Sequence, residues 1–259
     1  MGTASTKMQL IRAAIEKNNI DELKTQLLDE NLVVNETDDH HRTVLLYAVI
    51  HGRTSIVTFL IENYLDCDIH IKDAHGGYNA LMKAARFNHL DIVEMLLIGG
   101  ADVCTTNDHG NTALHMSASK GYIDVVRLLI RERSGRSAGT DDEDLDREEI
   151  DLQFIDAQNK FGNTALMCAS ERNHKRVVEY LITKQADINV KDQTNGNTAL
   201  HTACTQIDNV LFMDIVQMLI DHKELDLNQK NNAGHSAFMI AVENGSTAVI
   251  EMLKNAGAE

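Results

Sequence analysis

Four places in this chain hold side chains that could do chemistry. Asp38-Asp39-His40-His41 brings two carboxylates and two imidazoles together, the donor types that bind zinc. Four consecutive polar residues in a linking turn point in different directions, and no second cluster supplies further ligands, so no metal site is assigned. His201 and Cys204 could pair as base and thiol nucleophile. Cys204, however, falls at a small, packed position of a recurring pattern, where a core residue is expected. No Ser or Cys lies in a nucleophile-elbow phrase and no Gly-rich phosphate loop is present, so the chain is read as non-enzymatic, with no catalytic residue and no cofactor. Ser134 and Ser137 each follow an arginine, a context that some kinases favour, and are candidate regulatory phosphosites. Met1-Gly2-Thr3-Ala4-Ser5-Thr6 fits the N-myristoylation pattern, but its small polar residues fit an ordinary floppy terminus or a cloning scar better. It is read as a flexible tail over residues 1–7.

Composition narrows the classes further. Thirty-nine acidic against 24 basic residues give a net charge of −15, which disfavours nucleic acid because that partner needs a basic face to displace its counterions. A protein partner of basic or mixed charge fits better. Apolar residues make up 43 % of the chain but aromatics only 4 %, and Trp is absent, so the core must be aliphatic. The four cysteines, Cys67, Cys104, Cys168 and Cys204, show no close pairing. They read as free thiols at packed positions, which suggests a reducing compartment. No apolar run is long enough to span a membrane and the N-terminus lacks a signal-peptide core. The expectation is a soluble, monomeric, intracellular protein, cytoplasmic and also compatible with the nucleus.

The elements that would position any site come from a repeat. A phrase close to Gly-x-Thr-Ala-Leu-x-x-Ala returns at a spacing near 33 residues, clearest at Gly110-Asn-Thr-Ala-Leu-His, Gly162-Asn-Thr-Ala-Leu-Met and Gly196-Asn-Thr-Ala-Leu-His. A period of that size signals stacked supersecondary units. Six units align on Thr43, Asn79, Thr112, Thr164, Thr198 and Ser236, after a degenerate helix pair built on Leu10–Ile15 and Leu23–Leu28. Each unit predicts two short helices. Thr112 would cap the first, Gly121 would end it at positive φ, and Ile123, Val126, Leu129 and Ile130 would form the apolar stripe of the second. Neither helix alone can bury its stripe, so stability must come from stacking neighbours. Small residues at Ala84-Ala85, Ala118, Ala169 and Ala203 would allow close approach.

This pattern resembles the ankyrin repeat, whose phrase D-x-x-G-x-T-P-L-H-x-A-A-x-x-G is followed by an I-V-x-x-L-L helix and a G-A-D turn. The resemblance covers about residues 8–259. It implies an all-α ankyrin-repeat solenoid in one domain, with units near 8–37, 38–72, 73–106, 107–158, 159–192, 193–230 and 231–259. It also implies that His115 and His201 hydrogen-bond between neighbouring turns. The chain departs from the family phrase in having no proline, and in His41 where the first full unit should have its turn glycine. Residues 134–151, SGRSAGTDDEDLDREEID, are an insertion expected to form a mobile acidic loop.

The resemblance further implies a concave partner-binding face made from turn tips and first helices. Carried over position by position, the variable sites with binding character are Ile50, His75, Tyr78, Arg86, Phe87, His109, Lys120, Phe161 and Arg172. Aromatic and Arg side chains are the types that dominate binding hot spots. The expected function is a scaffold, adaptor or inhibitor that binds another protein. The alternatives are a recruiting module of a larger kinase, acyltransferase or ubiquitin ligase, and a microbial effector acting in a host cell.

Overall fold

The structure is a computed structural model that describes residues 2–27, 34–133, 151–205 and 212–258. Ser134 and Ser137, nearly all of the predicted acidic loop, and the residues 206–211 lie outside the described residues. Fifteen helices occur among those described. The helices α1 (Gly2–Glu16) and α2 (Ile20–Leu27) form the degenerate pair. Next come α3 (Val44–Ile50) with α4 (Thr54–Asn63), and α5 (Ala80–Arg86) with α6 (Leu90–Ile98). Then follow α7 (Ala113–Ala118), α8 (Ile123–Arg133) and a single turn, α9 (Leu152–Ile155). The last three pairs are α10 (Ala165–Glu171) with α11 (Lys175–Thr183), α12 (Ala199–Cys204) with α13 (Met213–Ile220), and α14 (Ala237–Glu243) with α15 (Thr247–Asn255).

The residues form two compact units, 1–108 and 109–259. In the first, α1 packs on α3, α3 on α5, and α4 on α6. In the second, first helices line up as α7, α10, α12 and α14, and second helices as α8, α11, α13 and α15. The predicted small residues Ala84, Ala85, Ala118, Ala169 and Ala203 are all fully buried, as close helix approach requires. The layer behind is aliphatic: Ile56, Leu60, Ile92 and Leu96 in the first unit, Val126, Leu129, Val178 and Leu219 in the second.

The first helix of each of the six full units begins the same way. Thr43, Asn79, Thr112, Thr164, Thr198 and Ser236 are extended N-cap residues whose side-chain oxygens accept the N–H three residues on. Replacing such a cap by Ala costs ~1 kcal/mol. The helix is then free to start without the family's proline, because Ala propagates helix well. At the other end the chain must turn at positive φ. Gly52, Gly121 and Gly245 do so, but Asn88 and Asn173 occupy the equivalent places, at φ 60° and 58°. Asn is the non-glycine residue that best tolerates this region.

Three expectations need correction. The N-terminal tail belongs to α1, which starts at Gly2: with no proline and with Ile11, Ala14 and Ile15 fully buried, the helix extends back through the first residues. The insertion does not run through Asp151. That carboxylate caps α9 by accepting the Phe154 N–H at 3.0 Å, and Phe154 and Ile155 are buried. The thiols are not uniformly packed either: Cys204 is buried, Cys67 and Cys168 are half-buried, and Cys104 is exposed in a linking turn.

Candidate protein-binding surface

The turns are built around one acidic or amide side chain each. Asp38 accepts the N–H groups of His40 and Arg42 at 2.8 Å. Asn159 accepts those of Phe161 and Asn163, and Asn231 those of Ala233 and His235. Asp192 accepts three, from Thr194, Asn195 and Asn197. Adjacent tips are also zipped by backbone. In the first unit Ala74 donates to His40 and Asp108 to Gly76, both at 2.9 Å. In the second Lys160 donates to His109, Gln193 to Phe161 and Asn232 to Asn195. Each tip is therefore held by its own side chain and by its neighbour, which fixes the side chains that it presents.

In the first unit the presented residues are His75, Tyr78, Arg86, Phe87 and Ile50. His75 is exposed, and its Nε2 lies 2.8 Å from His40 Nδ1, with the rings 4.6 Å apart. Tyr78 is half-buried beneath two cations: Lys83 Nζ is 4.3 Å from the ring centre and the Arg86 guanidinium carbon 5.6 Å. Lys83 itself is paired at 2.7 Å with Asp73, whose side chain is 1 % exposed. Phe87 stands 44 % exposed beside His89, and Ile50 is half-buried at the end of α3. His41, at the glycine position of its turn, holds φ +55°.

In the second unit His109 and Phe161 stack, with ring centres 6.3 Å apart and planes 24° apart, and Phe161 is 50 % exposed. Lys120 and Arg172 are exposed just beyond the ends of α7 and α10. Both lie close enough to His174 to help burial lower its pKa, so the two cations share a neighbourhood. A shallow cavity of about 180 Å³, lined by Asn163, Met167, Glu171, Asp192, Asn197, Thr202 and Thr205, opens between α10 and α12. Sequence reasoning missed Asp73, Lys83 and His174. The aspartate and asparagine column opening each turn was visible as the first letter of D-x-x-G; the pairing of Lys83 was not.

The chemically suggestive residues are committed to structure. Thr198 donates its N–H to His201 Nδ1 at 3.3 Å, and Nε2–H donates to the His235 carbonyl at 3.1 Å. Burial pushes the Cys204 thiol up to about 12. His115 makes the same box with Thr112 and donates to the Asn163 carbonyl at 3.0 Å. No group of three or more His, Cys, Asp or Glu side chains is placed to hold a metal among the described residues. No helix among them is long and apolar enough to cross a membrane.

Burial lowers the pKa of His115 and His201 below 6.5. The unfolded chain then binds more protons below about pH 6.5, so stability falls as pH drops through that value, by at most about 1.4 kcal/mol per pH unit for each imidazole. Asp156 opposes this: burial first, then the nearby Asp187, raise its pKa to about 6, so protonation below that pH relieves a cost. Gln keeps the capping box without titrating. His115→Gln/His201→Gln should therefore lose less melting temperature than wild type between about pH 7.5 and about pH 5.5. Equal losses in a thermal scan would contradict this assignment.

Capped helical hairpins, repeated with zipped turn tips, define an ankyrin-type repeat protein. The family patterns for ankyrin repeats match residues 10–61, 66–142, 143–213 and 186–259, and the chain belongs to the ankyrin-repeat family. Among curated relatives it is 28 % identical over 225 residues to the nuclear factor NF-kappa-B p105 subunit of Gallus gallus, covering 86 % of this chain and 21 % of that protein. It is 29 % identical over 181 residues to the NF-kappa-B inhibitor cactus of Drosophila yakuba, covering 65 % of this chain and 36 % of that one. It is 28 % identical over 224 residues to the E3 ubiquitin-protein ligase XBAT33 of Arabidopsis thaliana, covering 85 % and 37 % respectively. The chain thus spans about a fifth to two fifths of the length of these relatives. Ankyrin repeats are protein-interaction modules.

Proposed function

We propose that this chain is a non-catalytic adaptor or inhibitor that binds a protein partner in the cytoplasm through its turn tips and first helices. The observation that carries the reading is the exposure of Phe87 and Phe161 at two of those positions, in a chain where 4 % of residues are aromatic. Exposed aliphatics such as Leu65 and Ile98 also occur, which is normal for a protein surface. Phe161 differs in being stacked on His109, and Tyr78 in lying under two cations. Such side chains are ordered before binding, which limits the entropic cost of association.

The chain's partial coverage of longer relatives favours one second reading, a partner-recruiting segment of a larger protein, as in a ubiquitin ligase. Both readings use the same surface. Capture from cell extract, comparing wild type with Tyr78→Ala, Phe87→Ala and Phe161→Ala, tests it. Loss of a common partner by folded variants is the expected result. Retention of the same partners by all three would place the contact elsewhere.

A further inference from the structure

Three cations stand at the turn tips and helix ends of the second unit, in a chain that is acidic as a whole. At the presented positions lie Lys120, Lys160 and Arg172, all exposed. None of the three forms an ion pair among the described residues. Carboxylates share this surface: Asp192 accepts three N–H groups of its own turn, Glu243 lies 3.3 Å from His235 Nδ1, and Glu171 is exposed beside Arg172. Beside them stands the apolar step of Phe161 on His109. The backbone of these tips is already paired from His109 to Asn232, so an incoming chain cannot add to it as a strand. It must be read by side chains.

We propose that this strip takes an acidic peptide segment, with an aromatic or aliphatic side chain against Phe161 and carboxylates on Lys120 and Arg172. The proposal rests on the protein-binding reading above and names the class of partner for it. The net charge of −15 does not forbid it. At physiological salt, charges separated by more than about 8 Å are largely screened, so net charge alone does not decide a local contact. Lys120 follows the C-cap of α7, and Arg172 is the C-cap of α10 through its backbone N–H, which donates to the Ser170 carbonyl; both side chains are exposed, so reversing their charge leaves that bond and the core in place.

The test uses the full chain to pan a phage-displayed library of random dodecapeptides. The best enriched peptide is then labelled with fluorescein and titrated by anisotropy against wild type, K120E/R172E and F161A. Thermal melts check that each variant folds. Enrichment of Asp and Glu together with an apolar residue is expected, with at least about tenfold weaker binding to both variants and to wild type at high salt. Neutral or basic consensus peptides, no enrichment at all, or a dissociation constant within about twofold for K120E/R172E would overturn the acidic class. If F161A alone weakens binding, the surface stands and its partner chemistry falls. If neither variant matters, the surface falls as well.

Discussion

Lys83→Met should unfold more easily than wild type by about 3 kcal/mol, the lower end of what removing one partner of a buried ion pair costs. Met retains most of the aliphatic stem that Lys83 packs, so the loss is chiefly of charge. What remains is the Asp73 carboxylate, 1 % exposed, with the Tyr78 N–H still on Oδ1 at 3.0 Å and Oδ2 stripped of the ammonium that stood at 2.7 Å. The double substitution D73N/K83M removes both charges and should recover most of the stability, since an amide can still accept that N–H. Urea denaturation of the three proteins measures both effects. A single variant within about 1 kcal/mol of wild type would mean that the pair is solvated rather than buried. The variant also frees the ring of Tyr78 from the cation 4.3 Å above it, so local order at that turn should fall with stability.

Gly162→Ala should cost about 2–4 kcal/mol. Part is conformational: at φ +81° a Cβ is strained by about 1–2 kcal/mol. The rest is contact. The new Cβ would collide with the Gln193 backbone nitrogen and lie 2.9 Å from the Asp192 carbonyl carbon, neither of which can swing away as a side chain would. Relief requires the two tips to separate, which breaks the Gln193-to-Phe161 backbone bond and forfeits about 1 kcal/mol more. Gly234→Ala is the comparison. Its φ is +80° but nothing lies within 4 Å of the added carbon, so only the conformational part is expected. Equal losses for the two variants would show that the tips do not press on one another.

What could be read from the amino-acid order was whatever repeats. Thr112, Thr164 and Thr198 cap their helices as predicted because a capping hydroxyl acts on a backbone N–H only three residues away. Ala118, Ala169 and Ala203 were legible as close-approach positions because each returns at the unit period. The single turn of α9 was not. Its four residues follow an acidic run and carry no repeat phrase, and they are helical because Phe154 and Ile155 have a core to enter. Positive φ at Asn88, Asn173 and Gln185 was equally hidden, since only the glycines announce that conformation. For the candidate surface, the presented positions followed from the repeat, whereas their partners did not. The stack of His109 on Phe161 joins residues 52 apart in the chain, the tie of His174 to Ser119 depends on how one hairpin lies on the next, and that of Lys83 to Asp73 on how a turn lies on its own first helix.

The central claim is that turn tips and first helices, rather than the outer helices, meet the partner. Titrating a captured partner against wild type, Phe87→Ala, Phe161→Ala and the control Ile98→Ala tests it most directly, since Ile98 is 77 % exposed at the end of a second helix. At least one phenylalanine variant should bind weaker by about 2 kcal/mol, roughly 30-fold, with Ile98→Ala unchanged. Unaltered binding by both phenylalanine variants, or a loss confined to Ile98→Ala, would contradict the account.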